Sequence, residues 1–317
     1  MSGTPSISET YAVYGSRYRG AGLGRFALRV SLVILPRGPW VFRPQVVADF
    51  HNLGFGEILV VEDGPPRYGA DDLLRRFPEV RIMMALQVST PGALINQAAR
   101  EVRGDKFLVL WDDQALSEAG LHTRVQKLWE GSPAVALVPE RRDKDGRDLP
   151  SVLVPGLAKD RLKILSLGSD LESVNTLFPA DYSALYDRQR FLHTGGYDVT
   201  LANPFWQKVD WGIRSHLWGE SLTLERQFRV DYRSNTPVED QTPDRSYPRF
   251  FLRNLAVRHT GDHGVLPFAR FWAHARRAGL PLVESLVGFL AERAWVHTHR
   301  YRFQSDARLL AELWGVP

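Results

Sequence analysis

The chain has 317 residues, enough for one large domain with an appendage or for two domains. Its 44% hydrophobic and 24% charged residues are typical of a folded globular protein and exclude a largely disordered or fibrous chain. Cysteine is absent, which excludes disulfides, thiolate metal sites and thiol nucleophiles, and a net charge of only +4 gives no indication of a nucleic-acid partner.

The first 29 residues are interpreted as an N-terminal extension. Residues 1–11 are polar and carry Glu9, and no apolar segment of a signal peptide precedes the basic stretch at Arg17–Arg29, which favours a cytoplasmic location. No apolar run reaches the roughly 18 residues that a membrane span needs. We therefore expect no membrane span, whereas peripheral contact with the inner face of a membrane stays open.

Between residues 30 and 138, short β-branched runs alternate with helical patterns, which predicts parallel strands joined by crossover helices. The predicted strands are 30–35, 57–61, 80–84, 107–110 and 134–138. One predicted helix opens at Thr90-Pro91, with threonine as its cap and proline in its first turn, and another runs through Leu121 and Leu128. The pattern predicts an α/β fold with a mixed, mostly parallel sheet flanked by helices.

The polar, proline-containing stretch 235–248 is the predicted domain boundary. It divides the chain into an extension (1–29), a sheet domain (30–234) and a C-terminal helical segment (235–317). Beyond residue 248 apolar residues recur at three- and four-residue spacing, which predicts helices only. Aromatic residues there alternate with arginines, and they either pack against the sheet domain or form a basic amphipathic surface for anionic lipid.

Two predicted strands end in paired acids, Glu62-Asp63 after the second strand and Asp112-Asp113 after the fourth. The carboxyl ends of parallel strands meet at one edge of a sheet, where ligands bind. The second pair suits Mg²⁺ or Mn²⁺ held against phosphate oxygens, and the first pair suits hydroxyl or base N–H donors. Turn and cap chemistry is the alternative explanation of both pairs. Together the pairs indicate a nucleotide that carries a diphosphate.

The order of these motifs resembles the GT-A glycosyltransferases of family 2, which are inverting enzymes that use nucleotide sugars. The resemblance covers roughly residues 30–229 and rests on the segments VSLVILP, EILVVEDG, GDKFLVLWDD, FLHTGGYD and WQKVDWGIRSHLWG. It implies the GT-A fold, a glycosyltransferase activity of the EC 2.4 class and a divalent metal, Mg²⁺ or Mn²⁺. It also implies a nucleotide-diphosphate sugar as donor and a glycan or a lipid-linked molecule as acceptor.

The same resemblance assigns site residues by number. The nucleotide-sugar-binding residues are Pro36, Glu62, Asp63, Asn96, Asp112 and Asp113. The residues on the acceptor side are Gly195, Gly196, Tyr197 and Arg214. Asp113 is the expected metal ligand, and Asp112 is expected to replace the partner acid that is lost at Trp111.

The catalytic base is the point at which the sequence departs furthest from the family. The family places an acidic pair where this chain has Gln207 and Lys208, and a protonated lysine cannot act as a base. Asp210 is the predicted catalytic residue, although it points some 200° away from position 208 on a helix; an ion pair with Arg214 is its alternative role. The alternative function is a catalytically inactive GT-A-like protein that binds a nucleotide sugar or a glycan, or a partner subunit.

Overall fold

The computed structural model describes residues 6–7, 10–15, 30–37, 43–64, 69–116, 132–158, 161–167, 171 and 173–315. The chain forms two compact units of interleaved stretches. Unit 1 comprises Met1–Leu149, Ala180–Gly196 and Glu225–Pro237, and unit 2 comprises Pro150–Pro179, Tyr197–Leu224 and Val238–Pro317. The division of the chain at residue 235 stays a prediction, and the predicted helix through Leu121 and Leu128 lies outside the described residues.

The strands are β1 (Ser6–Ile7), β2 (Tyr11–Tyr14), β3 (Val30–Leu35), β4 (Glu57–Glu62), β5 (Val80–Ala85), β6 (Lys106–Trp111), β7 (Gln114–Leu116), β8 (Ala136–Arg142), β9 (Asp148–Leu149), β10 (Val152–Ala158), β11 (Arg161–Leu167), β12 (Ser173–Asn175), β13 (Ala184–Asp187), β14 (Leu222–Tyr232), β15 (Arg258–Thr260) and β16 (His263–Val265). The helices are α1 (Arg43–His51), α2 (Ala70–Arg76), α3 (Pro91–Glu101), α4 (Arg188–His193), α5 (Pro204–Leu217), α6 (Tyr247–Phe250), α7 (Phe271–Ala278), α8 (Leu282–Thr298) and α9 (Ala307–Glu312).

Unit 1 is built on one sheet with the strand order β1-β2-β5-β4-β3-β6-β13-β8-β14. β3 runs parallel to both β4 and β6, and β4 runs parallel to β5. β13 then pairs antiparallel with β6 and with β8. The expected mixed α/β sheet, with a mostly parallel core, flanking helices and C-terminal helices, is confirmed.

The parallel core forms where the sequence places its continuous apolar runs. Every residue of β3 and of β4 is buried, as expected for strands that are covered on both faces. α3 begins as predicted, because the Thr90 hydroxyl accepts a hydrogen bond from the Ala93 N–H and Pro91 occupies the first turn. The stretch assigned to an extension contains β2, which pairs antiparallel with β5.

Unit 2 has its own apolar core around α5, into which α8 places Phe289 and Val296. The prediction that only helices follow residue 248 is wrong, since β15 and β16 form an antiparallel hairpin. Gly261 has a φ of +64° in the two-residue Gly261-Asp262 turn, a combination that favours a hairpin. In the described part of the chain, no helix combines the length and the apolar character needed to cross a bilayer.

We expect His216, on α5, to make the stability of the protein depend on pH. Burial lowers the pKa of its imidazole to about 4, although the hydrogen bond with the Thr176 carbonyl, at 3.1 Å, favours the protonated form. The unfolded chain takes up this proton near pH 6.5, so stability falls as the pH drops from about 6.5 to 4. We expect about 2 kcal/mol to be lost through this group, allowing for its partial exposure.

Urea denaturation at pH 7, 5.5 and 4.5 measures this effect. His216→Gln should lose less stability over that range than the wild type, because it lacks the titrating ring. His297→Gln, which removes an exposed histidine from the same unit, is the control and should follow the wild type. Equal losses in the wild type and in His216→Gln would contradict the prediction.

Candidate functional site

Two of the acids that the sequence placed at strand ends lie against one buried arginine. Arg43, the first residue of α1, is 2% exposed, and its Nε donates to Glu62 Oε1 at 2.9 Å. Its Nη1 donates to Asp112, directly beyond β6. Burial lowers the pKa of the Arg43 guanidinium, but the charges of Glu62 and Asp112 outweigh burial and the pKa is raised. Arg43 therefore stays charged and links the ends of β4 and β6.

A second arginine, Arg37, occupies the space in front of Asp113. Its Nη1 lies 3.3 Å from Asp113 Oδ1, and its Nη2 lies 2.5 Å from Asp181 Oδ1. The Arg37 backbone N–H donates to Asp112 Oδ1 at 3.0 Å. The guanidinium also lies 3.8 Å from the ring centroid of Trp111, in cation–π contact. Trp111, where the resemblance led us to expect an acid, thus contacts an arginine.

Asp181 joins this group through an unusual backbone conformation. Asp181 and Tyr182 have φ values of +56° and +61°, a backbone region that residues other than glycine rarely adopt. The Asp181 carboxylate accepts from the Tyr232 hydroxyl at 2.6 Å, and its backbone carbonyl accepts from Trp111 Nε1 at 2.7 Å. Burial and the Asp181 charge raise the pKa of the Tyr232 phenol. Such local strain is maintained by the surrounding contacts and is common at functional sites.

We define the acidic cluster as the carboxylates Glu62, Asp112, Asp113 and Asp181 together with the guanidinium groups of Arg37 and Arg43. Arg141 contributes further positive charge through its hydrogen bond with Tyr232. Even with Arg141 the carboxylates outnumber the guanidinium groups, so the acidic cluster keeps a net negative charge. An anionic diphosphate would require additional positive charge to bind there.

The acidic cluster can be compared directly with the chemistry of Mg²⁺ or Mn²⁺. Asp112 does not fit as a ligand, because its two oxygens accept from the Arg37 N–H and from the buried Arg43. Both oxygens of Asp113 are also contacted, by Arg37 at 3.3 and 3.4 Å and by the Ser234 hydroxyl at 2.7 Å. Asp113 nevertheless fits better than Asp112, because Arg37 is 22% exposed and its contacts are long, so a cation can displace it, whereas Arg43 is buried. Among the described residues no group of three metal-binding side chains occurs. One carboxylate with phosphate oxygens and water is nevertheless a common Mg²⁺ site.

The other predicted residues of unit 1 lie around the same strand ends or beside α3. Pro36 follows β3 directly, and Asp63 is exposed just beyond β4. Asn96 lies on α3 in close contact with Gly196, where a Cβ atom would lie 2.2 Å from Asn96 Oδ1. The neighbouring Gly195 has a φ of +84°. The turn after α4 therefore requires glycine for both its conformation and its approach to Asn96.

The remaining predicted residues belong to unit 2. Asp210 is 1% exposed; its Oδ2 accepts from Arg214 Nη2 at 3.0 Å and its Oδ1 from Asn254 Nδ2 at 2.7 Å. This ion pair with Arg214 is the alternative role that the four-residue spacing predicted for Asp210. Tyr197 packs against Trp211, with 5.3 Å between ring centroids.

Gln207 and Lys208 lie where the resemblance led us to expect acids. Lys208 forms a salt bridge, and Gln207 forms hydrogen bonds with the backbone. Lys208 Nζ lies 2.7 Å from Glu239 Oε1. Gln207 Nε2 donates to the carbonyl oxygens of Asp198 and Leu201, at 3.0 and 3.3 Å. Both side chains of this pair are therefore engaged within unit 2.

Sequence reasoning missed Arg37, Arg43 and Asp181. Arg37 directly follows Pro36, so its position was indicated although its role was not. Arg43 is one of 34 arginines, and nothing local distinguishes it from the others. Asp181 is 68 residues from Asp113 along the chain, and its contacts arise only when β13 returns to the sheet beside β6.

No protein-family model and no curated protein sequence matches the chain. Among solved structures, the chain is similar to GalNAc-T7 with UDP, GalNAc and Mn²⁺, with a TM-score of 0.58 and 13% sequence identity. That match covers 90% of this chain and 56% of GalNAc-T7, so the chain spans little more than half the length of that protein.

Two further solved structures have TM-scores just under 0.5. Residues 1–349 of TarS from S. aureus match with a TM-score of 0.49 and 14% identity, over 83% of this chain and 71% of that one. The mannosyltransferase PcManGT from Pyrobaculum calidifontis, in complex with GDP-Man and Mn²⁺, matches with 0.48 and 14%, over 86% and 76%. At such low identity the likeness to GalNAc-T7 defines the fold alone, which is that of the GT-A glycosyltransferases.

Proposed function

We propose that the protein is a glycosyltransferase that transfers a sugar from a nucleotide-diphosphate sugar to an acceptor hydroxyl. The observation that carries this proposal is the acidic cluster at the carboxyl ends of β4 and β6, on a sheet similar to that of a protein solved with UDP, GalNAc and Mn²⁺. Ligands of open parallel sheets bind at that edge. Membership of family 2, an activity of the EC 2.4 class and a cytoplasmic location are parts of the same proposal.

In this proposal the nucleotide lies along the strand ends of unit 1. Asp63 is exposed and its carboxylate is a suitable acceptor for ribose hydroxyls or base N–H groups. Pro36 and Asn96 lie beside the nucleotide as further contacts. Glu62 and Asp112 are held by Arg43, so they shape the floor of the site and do not reach the nucleotide as free charges.

Asp113 is the residue that would hold a divalent cation. The bound cation would supply positive charge to the leaving diphosphate, which the net negative acidic cluster lacks. Arg37 contacts Asp113 and Asp181 at the same time. In this proposal it would give up Asp113 to the cation, remain bound to Asp181 and donate to a phosphate oxygen.

The proposed reaction is a single inverting displacement. The acceptor oxygen forms a bond to the anomeric carbon while the bond from that carbon to the diphosphate oxygen breaks. The acceptor proton passes to a base, for which Asp210 is the candidate, and the electron pair leaves on the diphosphate. Gly195, Gly196, Tyr197 and Arg214 are the residues proposed for the acceptor side. A glycan or a lipid-linked molecule provides the acceptor.

A second function, binding of a nucleotide sugar or glycan without turnover, is favoured by the contacts of unit 2. Asp210 has both carboxylate oxygens occupied by hydrogen-bond donors, and a base needs a free lone pair in reach of the proton. Lys208, at the family's base position, is neutralised by Glu239. This protein would then be a partner subunit or a sugar-binding protein.

Turnover assays separate the two functions. We expect the wild type, with Mn²⁺, to hydrolyse or transfer sugar from at least one of a panel of UDP-, GDP- and dTDP-sugars. Asp210→Asn keeps the shape of the side chain and should slow turnover by about 10²–10⁴-fold if Asp210 is the base. Asp145→Asn, on an exposed turn of unit 1, is the matched control. Full activity in Asp210→Asn would remove the base assignment, and wild-type binding without turnover would establish the second function.

A further inference from the structure

The C-terminal helices of unit 2 carry an exposed apolar surface. We define the apolar ridge as six side chains that are between 46% and 74% exposed: Trp272, Leu280, Leu282, Val283, Val287 and Leu290. Trp272 lies on α7, Leu280 follows that helix, and the other four lie on α8. Val283, Val287 and Leu290 recur at four- and three-residue spacing and so share one face of α8. Clusters of exposed apolar side chains mark interaction surfaces.

The opposite face of α8 already packs in the core of unit 2, so the apolar ridge is not needed for folding of that core. Phe289 and Val296 are buried in the core of unit 2, with 0% and 1% exposure. Phe289 packs against Phe271 of α7, with ring centroids 5.6 Å apart. α8 thus already buries one apolar face within unit 2, and the apolar ridge is a second one that faces outwards.

Positive charge is concentrated in the same stretch of chain. Residues 266–302 contain six arginines and two glutamates, a net charge of +4, which equals the net charge of all 317 residues. Glu292, one of the two acids, is buried and paired with Arg249 and Arg253, which leaves Glu284 as the exposed acid. Arg276 and Arg293 are exposed and form no ion pair with the described residues.

A basic groove continues the apolar ridge along α8. It has a volume of about 610 Å³ and is lined by His263, Leu290, Arg293, Ala294, His297 and Arg300, among others. Leu290 belongs both to the groove and to the apolar ridge. Guanidinium groups present paired N–H donors that match phosphate oxygens. The groove therefore offers a phosphate site directly beside exposed apolar side chains.

We propose that α7 and α8 dock unit 2 on the surface of an anionic phospholipid bilayer. The apolar ridge enters the boundary between headgroups and acyl chains, and the groove receives a headgroup phosphate. Exposed apolar side chains that include a tryptophan and are flanked by arginines bind the interface of anionic membranes in this way. A second copy of the same surface is disfavoured, because pairing would bring together two surfaces that both carry exposed arginines, such as Arg276 and Arg293. The proposal is independent of the glycosyltransferase reaction.

Vesicle co-sedimentation of the full chain tests the proposal. We expect at least about 25-fold stronger partitioning to vesicles with 30 mol% phosphatidylserine than to vesicles of phosphatidylcholine alone, because each arginine near an anionic surface contributes about five-fold and at least two, Arg276 and Arg293, are exposed. The double variant Arg276→Gln/Arg293→Gln should partition about 25-fold more weakly to the anionic vesicles than the wild type does. Raising the salt from 0.1 to 0.5 M should also release the protein, since it screens the attraction.

The apolar contribution is tested separately. Val283→Ser/Val287→Ser should reduce partitioning without lowering the thermal midpoint, since both side chains are exposed. Val88→Ser/Arg147→Gln, which removes an exposed valine and an exposed arginine of unit 1, is the matched control and should bind as the wild type does. Trp272→Phe should remove part of the blue shift in tryptophan emission that vesicles produce.

Four results would overturn the proposal. The first is equal partitioning to neutral and anionic vesicles, and the second is equal partitioning of the ridge variants and the control. The third is a concentration-dependent dimer that Val283→Ser/Val287→Ser dissociates, which would identify a second copy as the occupant of the apolar ridge. Inorganic phosphate that binds the groove without any vesicle binding would likewise assign the site to a free anion.

Discussion

Replacing Arg43 with methionine is expected to lower the free energy of unfolding by about 3–5 kcal/mol, because removal of one partner leaves buried charges without compensation. Arg43 is 2% exposed, and Glu62 and Asp112 are 5% and 6% exposed. Methionine fills much of the same space, so the lost stability measures the effect of the missing charge more than that of the missing volume. The two carboxylates would face each other in a region from which water is largely excluded.

Two further variants separate charge from packing in this result. Arg43→Met/Glu62→Gln/Asp112→Asn removes both negative charges and should recover a substantial part of the lost stability. Arg75→Met breaks the ion pair with Asp72, in which both side chains are more than 75% exposed, and should change stability by less than about 0.5 kcal/mol. Urea denaturation at pH 7 measures all three variants. The prediction is contradicted if Arg43→Met is no less stable than Arg75→Met.

Local patterns in the sequence were sufficient for the core of the sheet. Residues 30–35, 57–62 and 80–85 form adjacent parallel strands because their β-branched runs suit strands covered on both faces. The same patterns missed β2, which is only four residues long and is placed by its pairing with β5. They also missed β15 and β16, each three residues long, although the Gly261-Asp262 turn between them was a readable signal.

Three carboxylates of the acidic cluster, Glu62, Asp112 and Asp113, could be placed at strand ends from the sequence, whereas Asp181 and the two arginines could not. Acids at the ends of buried strands are visible in the sequence, because an apolar run that stops at a carboxylate is unusual. The residues that join these acids come from distant parts of the chain. Arg37, which contacts Asp113, follows β3, and Asp181, which also contacts Arg37, precedes β13. Which of 34 arginines meets which carboxylate depends on tertiary contacts that no local spacing encodes.

Trp111 lies where the resemblance to family 2 led us to expect an acid that would face a cation. The tryptophan instead supports the Arg37 guanidinium at 3.8 Å from its ring centroid and donates its indole N–H to the Asp181 carbonyl. The chain thereby places positive charge beside Asp113, and in the proposed reaction this charge would add to that of a bound cation without replacing it.

In the proposed reaction, Asp113→Asn is expected to reduce nucleotide-sugar turnover by about 10³-fold, because the variant would no longer hold the cation, which would supply several kcal/mol of charge stabilisation to the leaving diphosphate. The Ser234 hydroxyl, which donates to Asp113 Oδ2 at 2.7 Å, can still donate to the asparagine oxygen, so the fold should be retained. Arg37 would lose one of its two carboxylate partners and keep Asp181.

Asp112→Asn is the matched comparison, because the two aspartates are adjacent and differ in their partners. Asp112 is bound to the buried Arg43, so its loss should lower the thermal midpoint and change turnover far less than Asp113→Asn does. Calorimetric titration of Mn²⁺ with UDP or GDP gives a readout other than turnover: cation-dependent binding should vanish in Asp113→Asn and persist in Asp112→Asn. If instead Asp113→Asn bound Mn²⁺ and nucleotide as the wild type does, the cation would be held elsewhere, and Asp113 would serve only to position Arg37 for the diphosphate.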